Sequence, residues 1–258
     1  MKIILSPAKK MNEDAESLEP SGLPVFMEQT KEILKWMKTK TYEDLKELWK
    51  CNDKIAEQNF NRLNCMDLNK NLTPAILSYE GIAYQYMAPS VFEKNHLVYI
   101  QEHLRILSAF YGVLKPMDGV RPYRLEMQAK ADVSGCKDLY CFWGDRLYRK
   151  VCDQSKVIVN LASKEYAKCI EKHLTPDDIY LTCIFGETVQ DKFVTKGTYA
   201  KMARGEMVRF MAENQIENPK DLKSFDRLNY KYRADLSSEN AYVFERAAKS
   251  SVKDLRNP

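Results

Sequence analysis

Four short apolar runs set the terms on which this chain can fold: Lys2–Leu5 (KIIL), Val157–Leu161 (VIVNL), Ile179–Phe185 (IYLTCIF) and Tyr242–Phe244 (YVF). Each is strand-length and rich in β-branched or aromatic residues. Between them lie helical patterns over Leu139–Cys152, Ser163–His173 and Thr198–Gln215. Strands alternating with helices of this length predict a mixed α/β fold. A further strand-like run begins at Arg105, where Leu107, Ala109, Tyr111 and Val113 alternate with their neighbours up to Gly112 and Pro116. Residues 12–24 carry acids and prolines without a period and read as a loop.

The stretch from about 25 to 104 is mainly helical in pattern. Val25–Lys38 places Phe26, Ile33, Leu34 and Met37 at helical spacings, and Thr41 with Asp44 forms an N-cap signal. Two short helices meet at Lys50-Cys51-Asn52-Asp53-Lys54; Thr73-Pro74 starts another, and Asn95 is placed to cap one more. With 258 residues, 45% hydrophobic and 29% charged, the chain is long enough to bury its own core, and one domain spanning 1–258 is expected. No apolar run approaches a membrane span and the N-terminus lacks a signal-peptide pattern, so a cytoplasmic protein without membrane association is expected; a monomer is expected as well.

Seven cysteines show no C-x-x-C spacing and read as reduced core thiols; only Cys136 and Cys141 lie close together. His96 and His103 are seven apart and read as structural. No metal site or cofactor is expected.

Charge is uneven. Residues 11–100 hold ten Lys/Arg and fourteen Asp/Glu, whereas 192–233 hold ten and five, and 101–150 hold nine and six. A basic face attracts polyanions locally even when the net charge is only +4.

Ionisable and aromatic residues gather in five segments. Ser6 and Lys9 follow the first strand; Asp118, Arg121, Tyr123, Arg124 and Glu126 form a second group; Trp143, Asp145 and Arg146 a third. Asn160, Ser163 and Tyr166 sit where a strand turns into a helix whose free N–H groups suit an anion. Lys201, Arg204 and Arg209 share a broad basic helix face. Any one pair reads more simply as a structural ion pair, but five groups near strand ends argue for a polar cleft.

Ordered motifs carry a resemblance: SPAK at 6–9, LRILSAFYGVLKP at 104–116, PYRLEM at 122–127, KDLYCFWGD at 137–145, NLASKEY at 160–166 and ARGEMVRF at 203–210. The chain resembles the peroxide stress protein YaaA family. That likeness implies a cantaloupe-type fold with a positively charged cleft, a helix-hairpin-helix element, DNA binding, and protection from peroxide by keeping free iron low. It points to Ser6, Lys9, Arg105, Asp118, Tyr123, Arg124, Glu126, Trp143, Asp145, Asn160, Ser163, Tyr166, Arg204 and Arg209, with Lys201 at the basic position before the last motif. In the hairpin, Lys50, Asn52 and Lys54 suit a phosphate, although glycine is absent and Asp53 opposes an anion.

The partner expected first is double-stranded DNA, bound without sequence preference through Lys9, Arg105, Arg124, Lys201, Arg204 and Arg209, with Arg121, Arg146, Asn160 and Ser163 also on the anion-binding surface. The alternative is an enzyme acting on a small anionic or nucleotide ligand, with Lys9, Glu126 and Asp145 as catalytic candidates. Direct iron sequestration ranks last, because no facial triad or Glu-x-x-His pair occurs.

Overall fold

The computed structural model describes residues 1–13, 18–152 and 154–247. The chain opens with β1 (Lys2–Leu5) and β2 (Lys10–Met11), then runs through helices α1 (Met27–Lys38), α2 (Tyr42–Trp49) and α3 (Asp53–Asn64). Short elements follow: β3 (Thr73–Pro74), α4 (Ala75–Ser78), β4 (Tyr79–Glu80) and α5 (Ile82–Met87). Helix α6 (Lys94–His103) leads into β5 (Leu104–Ser108), β6 (Gly112–Leu114) and β7 (Gly119–Val120). Next come α7 (Leu139–Trp143), α8 (Arg146–Val151), β8 (Val157–Asn160) and α9 (Lys164–Glu171). Strands β9 (Ile179–Val189) and β10 (Lys192–Val194), helix α10 (Gly197–Glu213), β11 (Tyr230–Tyr232) and β12 (Ala241–Arg246) follow.

The main sheet has the spatial order β11-β12-β9-β8-β1-β5-β6, with β10 paired to β9. Strand β1 runs parallel to β5 and β8, β8 to β9, and β9 to β12; the pairs β5–β6 and β11–β12 are antiparallel. Parallel strands are covered on both faces, and Ile3–Leu5, Leu104–Ser108 and Ile158–Asn160 are buried throughout. From β1 the chain builds outward to β5 on one side and later through β8 and β9 on the other. The winding therefore reverses at the β1–β8 border, the place where open α/β sheets leave a crevice beyond the carboxyl ends of their strands.

Local structure departs from the sequence reading at several places. The alternating run from Arg105 folds back as a hairpin: Ser108 Oγ accepts from the N–H groups of Phe110 (3.2 Å) and Tyr111 (2.9 Å), and Gly112 takes φ +78°. A period of two does not distinguish one long strand from two short ones joined by a tight turn. The helix expected over 139–152 is two helices broken at Gly144, whose φ of +52° a side chain disfavours. Helix α6 is capped by Glu93, not Asn95, with the Glu93 N–H donating to His96 Nδ1 at 3.2 Å. Helix α4 starts at Ala75, after Thr73-Pro74 has paired with β7. Within the expected loop at 12–24, residues 14–17 lie outside the described residues. The thiols are not all internal: Cys169 and Cys183 are buried, but Cys65 and Cys141 are exposed.

Candidate functional site

Beyond the carboxyl ends of β1 and β8 lies a cavity of about 480 Å³. Its walls are the segment Ser6–Lys10, the turn from Leu161 into α9, residues 123–126, the start of α5, and Lys201 and Arg204 of α10. Pro7 lacks an N–H and cannot extend the β1 ladder, so the chain leaves the sheet there. Ser6 ties the two strand ends together: its Oγ accepts the Ser163 N–H at 2.8 Å and donates to Ser163 Oγ at 3.1 Å. Asn160 Oδ1 accepts from the Ala162 N–H at 2.9 Å and shapes the turn behind it. Tyr84 donates its hydroxyl proton to the Ser6 carbonyl at 3.0 Å, fixing α5 against the same loop.

Two glycines let the walls approach. A Cβ on Gly81 would stand 2.8 Å from Ala8 Cβ, and one on Gly205 would stand 1.8 Å from the Ala83 carbonyl oxygen. Helix α10 thus lies directly on α5, which sets Lys201 and Arg204 over the cavity.

Acids and bases alternate round the walls. Lys9 pairs with Glu126 at 2.6 Å and Lys10 with Glu80 at 2.6 Å. Glu165 accepts from the Gln128 N–H at 3.2 Å; burial, and then the Glu126 charge, push its carboxyl above the ordinary range. Tyr123 is buried and bonded to Ser108 Oγ (2.7 Å) and Tyr79 OH (3.0 Å), and burial pushes it up to about 12. Burial raises Tyr84 and Tyr166 as well. These phenols are neutral hydrogen-bonding groups at ordinary pH.

Three cations on the cavity differ from the paired lysines. Among the described residues, Arg124 donates only to the Trp49 carbonyl, at 3.3 and 3.4 Å. Arg204 has its Nε buried without a partner, and burial pulls its guanidinium below the usual value. Among the described residues, neither they nor Lys201 meets a carboxylate within 4.0 Å. A desolvated guanidinium without a counter-charge is costly, so an anion entering here gains more than it would on an open surface.

Of the residues singled out from sequence, Ser6, Lys9, Tyr123, Arg124, Glu126, Ser163, Tyr166, Lys201 and Arg204 converge on this cavity. The others lie elsewhere. Arg105 is buried and donates to the carbonyls of Leu104 (2.7 Å) and Gln101 (3.2 Å). Arg121 bonds Glu13 (3.2 Å) and the Asn71 carbonyl (2.8 Å). Arg146 lies over the Phe142 ring at 6.0 Å and donates to the Phe142 carbonyl. Arg209 pairs with Glu213 at 2.7 Å, beside a second arginine, Arg227, on the same acid. Trp143 is a core residue donating to the Ala109 carbonyl at 2.9 Å, Asp145 pairs with Arg149 at 2.6 Å, and Asp118 accepts the Lys115 N–H at 2.8 Å within its own turn. The six-residue basic trough expected from sequence is therefore divided: Arg105 and Arg209 are spent on carbonyls and acid, away from the cavity that holds the other four.

The helix pair α2–α3 is present, with its turn at Lys50–Asn52. Lys50 takes the left-handed conformation (φ 46°), while Asn52 is extended and caps α3 by accepting the Ile55 N–H at 3.0 Å. Asp53 is engaged by Lys46, and Lys50 and Asn52 border a shallow hollow that also exposes Glu43 and Glu47. Lys54, in the first turn of α3, lies outside that hollow.

Glu80, Gly81 and Tyr84 line the cavity without having stood out in the sequence. Their single local signal is a glycine following a short aromatic-acidic pair, which marks a turn and not a chemistry.

A family model described as peroxide stress protein YaaA matches residues 1–236. A UPF0246 protein of Agathobacter rectalis is 68% identical over 246 residues, covering 95% of this chain and 99% of the relative. Similar proteins of the same printed name occur in Lachnoclostridium phytofermentans, 56% identical over 256 residues (99% and 100% covered), and Pediococcus pentosaceus, 57% identical over 244 residues (95% and 97% covered).

Proposed function

The chain belongs to the peroxide stress protein YaaA family, and from that premise we propose that it protects a bacterial cytoplasm from peroxide by binding DNA without sequence preference and limiting iron-dependent damage there. The observation that carries this reading is the group Arg124, Lys201 and Arg204, three cations that have no acidic partner among the described residues, at one strand-end cavity. Phosphates meet them at the mouth; the cavity itself is too small for a duplex. The fold is read as the family's cantaloupe type, with α2–α3 as its helix-hairpin-helix counterpart. Because the hairpin hollow is lined by two acids, it contributes less to binding than the cavity mouth. Among the described residues, no helix is long and apolar enough to cross a membrane.

The test is a titration of fluorescent duplex DNA at rising salt. With about three phosphates contacted, log affinity falls against log salt with a slope near −2.7, from −0.9 per phosphate. Affinity that is unchanged between low and physiological salt removes the reading.

A second reading rests on a specific observation: Glu126 and Glu165 interact within the same enclosed space as Lys9, an arrangement suited to moving a proton on a small anionic ligand. Glu126→Gln and Glu165→Gln separate the two. Loss of peroxide protection with unimpaired DNA binding favours the small ligand; retention of both functions favours DNA alone.

A further inference from the structure

The size and the charge of the strand-end cavity together specify more than an anion. At about 480 Å³ it falls within the range that encloses a small organic molecule, and a lone phosphate leaves most of it empty. Its charges are sorted. Lys9 and Lys10 are paired with Glu126 and Glu80, each at 2.6 Å, and cancel them. What is left on the walls is Arg124, Lys201 and Arg204 against Glu165, an excess of two positive charges among the lining residues. A phosphate monoester carries about −1.5 to −2 at pH 7 and matches that excess. A polyphosphate overshoots it. The remaining lining also constrains the ligand. Glu126 and Glu165, when ionised, accept hydrogen bonds and cannot donate them, so whatever lies against them must carry N–H or O–H groups. Leu5, Ile82, Leu125 and Leu161 present apolar surface to the same space. A sugar phosphate brings donors without an apolar face, and an acyl phosphate brings an apolar body without donors. A nucleotide brings both, since every base has a flat apolar face and donors lie on its edge or its sugar.

We propose that the cavity seats one nucleoside 5′-monophosphate unit, free or as the 5′-phosphorylated terminal nucleotide of a DNA strand, with its phosphate on Arg124, Lys201 and Arg204 and its donors on Glu126 and Glu165. The proposal rests on the reading of those three cations as phosphate-binding and names what enters beyond them. A duplex is too wide for the cavity and lies across its mouth, whereas a single terminal unit enters. Arg204 gains most from the ligand, because its Nε is buried without an acceptor and a phosphate oxygen supplies one.

The full chain is titrated by calorimetry with each of the four deoxynucleoside 5′-monophosphates, the matching nucleosides and inorganic phosphate. Labelled duplexes ending in 5′-phosphate or 5′-hydroxyl are titrated beside them by fluorescence anisotropy. The expected result is one monophosphate per chain, bound about tenfold or more tighter than its nucleoside and than inorganic phosphate, and about tenfold weaker in Arg204→Gln and in Lys201→Gln. Lys201 is exposed, so its variant keeps the test open even where Arg204→Gln fails to fold. Tighter binding of the 5′-phosphate duplex, reversed by the free monophosphate, assigns the seat to strand ends; equal binding of the two duplexes assigns it to the free nucleotide. The proposal is overturned if inorganic phosphate binds as tightly as all four monophosphates, or if none of the four binds. The latter with duplex binding intact removes this proposal alone. Monophosphate binding without duplex binding removes the DNA reading and leaves this one standing.

Discussion

Arg204 shows how one residue can define a site by what it lacks. Its Nε is buried without an acceptor, whereas Arg209, five residues on, is held by Glu213. Replacing Arg204 by Ala removes a cavity charge that, among the described residues, supports no ion pair, so stability is little changed. The expected effect is a salt slope for DNA binding reduced by about one phosphate equivalent. Asp118 tests the opposite case, a buried acid with a structural role. Burial raises its carboxyl to about 6 from the ordinary 3.8. The folded chain therefore holds the extra proton between about pH 4 and 6, and the Asp118 contribution to stability declines as pH rises through that window, then stays level. Asp118→Asn should gain on the wild type between about pH 4 and 7 by at most about 3 kcal/mol, from 1.36 kcal/mol per pKa unit. Urea unfolding at both ends of the window checks this; an equal difference at both would contradict it.

Among the elements, the contact of α10 with α5 positions the two cations, and Gly205 controls it. Alanine is worth about 1 kcal/mol over glycine in a helix interior. Here its methyl would stand 1.8 Å from the Ala83 carbonyl oxygen, a backbone atom that cannot turn aside. Overpacking costs about 1–3 kcal/mol and wins, so Gly205→Ala should lower stability and weaken DNA binding together. Thermal unfolding with a binding titration would reveal a separate effect on either. Much of this level was legible in the sequence. KIIL and VIVNL form strands over the expected residues, give or take one, because short β-branched runs bounded by Pro or Ser have few other uses. Thr41 caps α2 with Asp44 as the capping signal implies. The β5–β6 hairpin and the break at Gly144 were not legible, since both depend on a glycine at positive φ, which at Gly112 is also packed between Phe26 and Trp143 while at Gly144 the space is open.

Over the whole molecule, segment charge identified the basic part of the chain without showing where its cations would lie. Arg124 and Arg204 come from distant segments yet share a cavity, while Arg105 and Arg121 lie near Arg124 in sequence and are bound elsewhere. Burial and pairing decide that division, and neither is visible in a residue count. The central claim is that the cavity cations, not the dispersed ones, hold the anion. It is tested most directly by measuring duplex affinity at fixed salt for two double variants: Arg124→Gln with Arg204→Gln, and Arg121→Gln with Arg146→Gln. The account predicts a large loss in the first and near wild-type binding in the second. Equal losses, or the larger loss in the second, would contradict it.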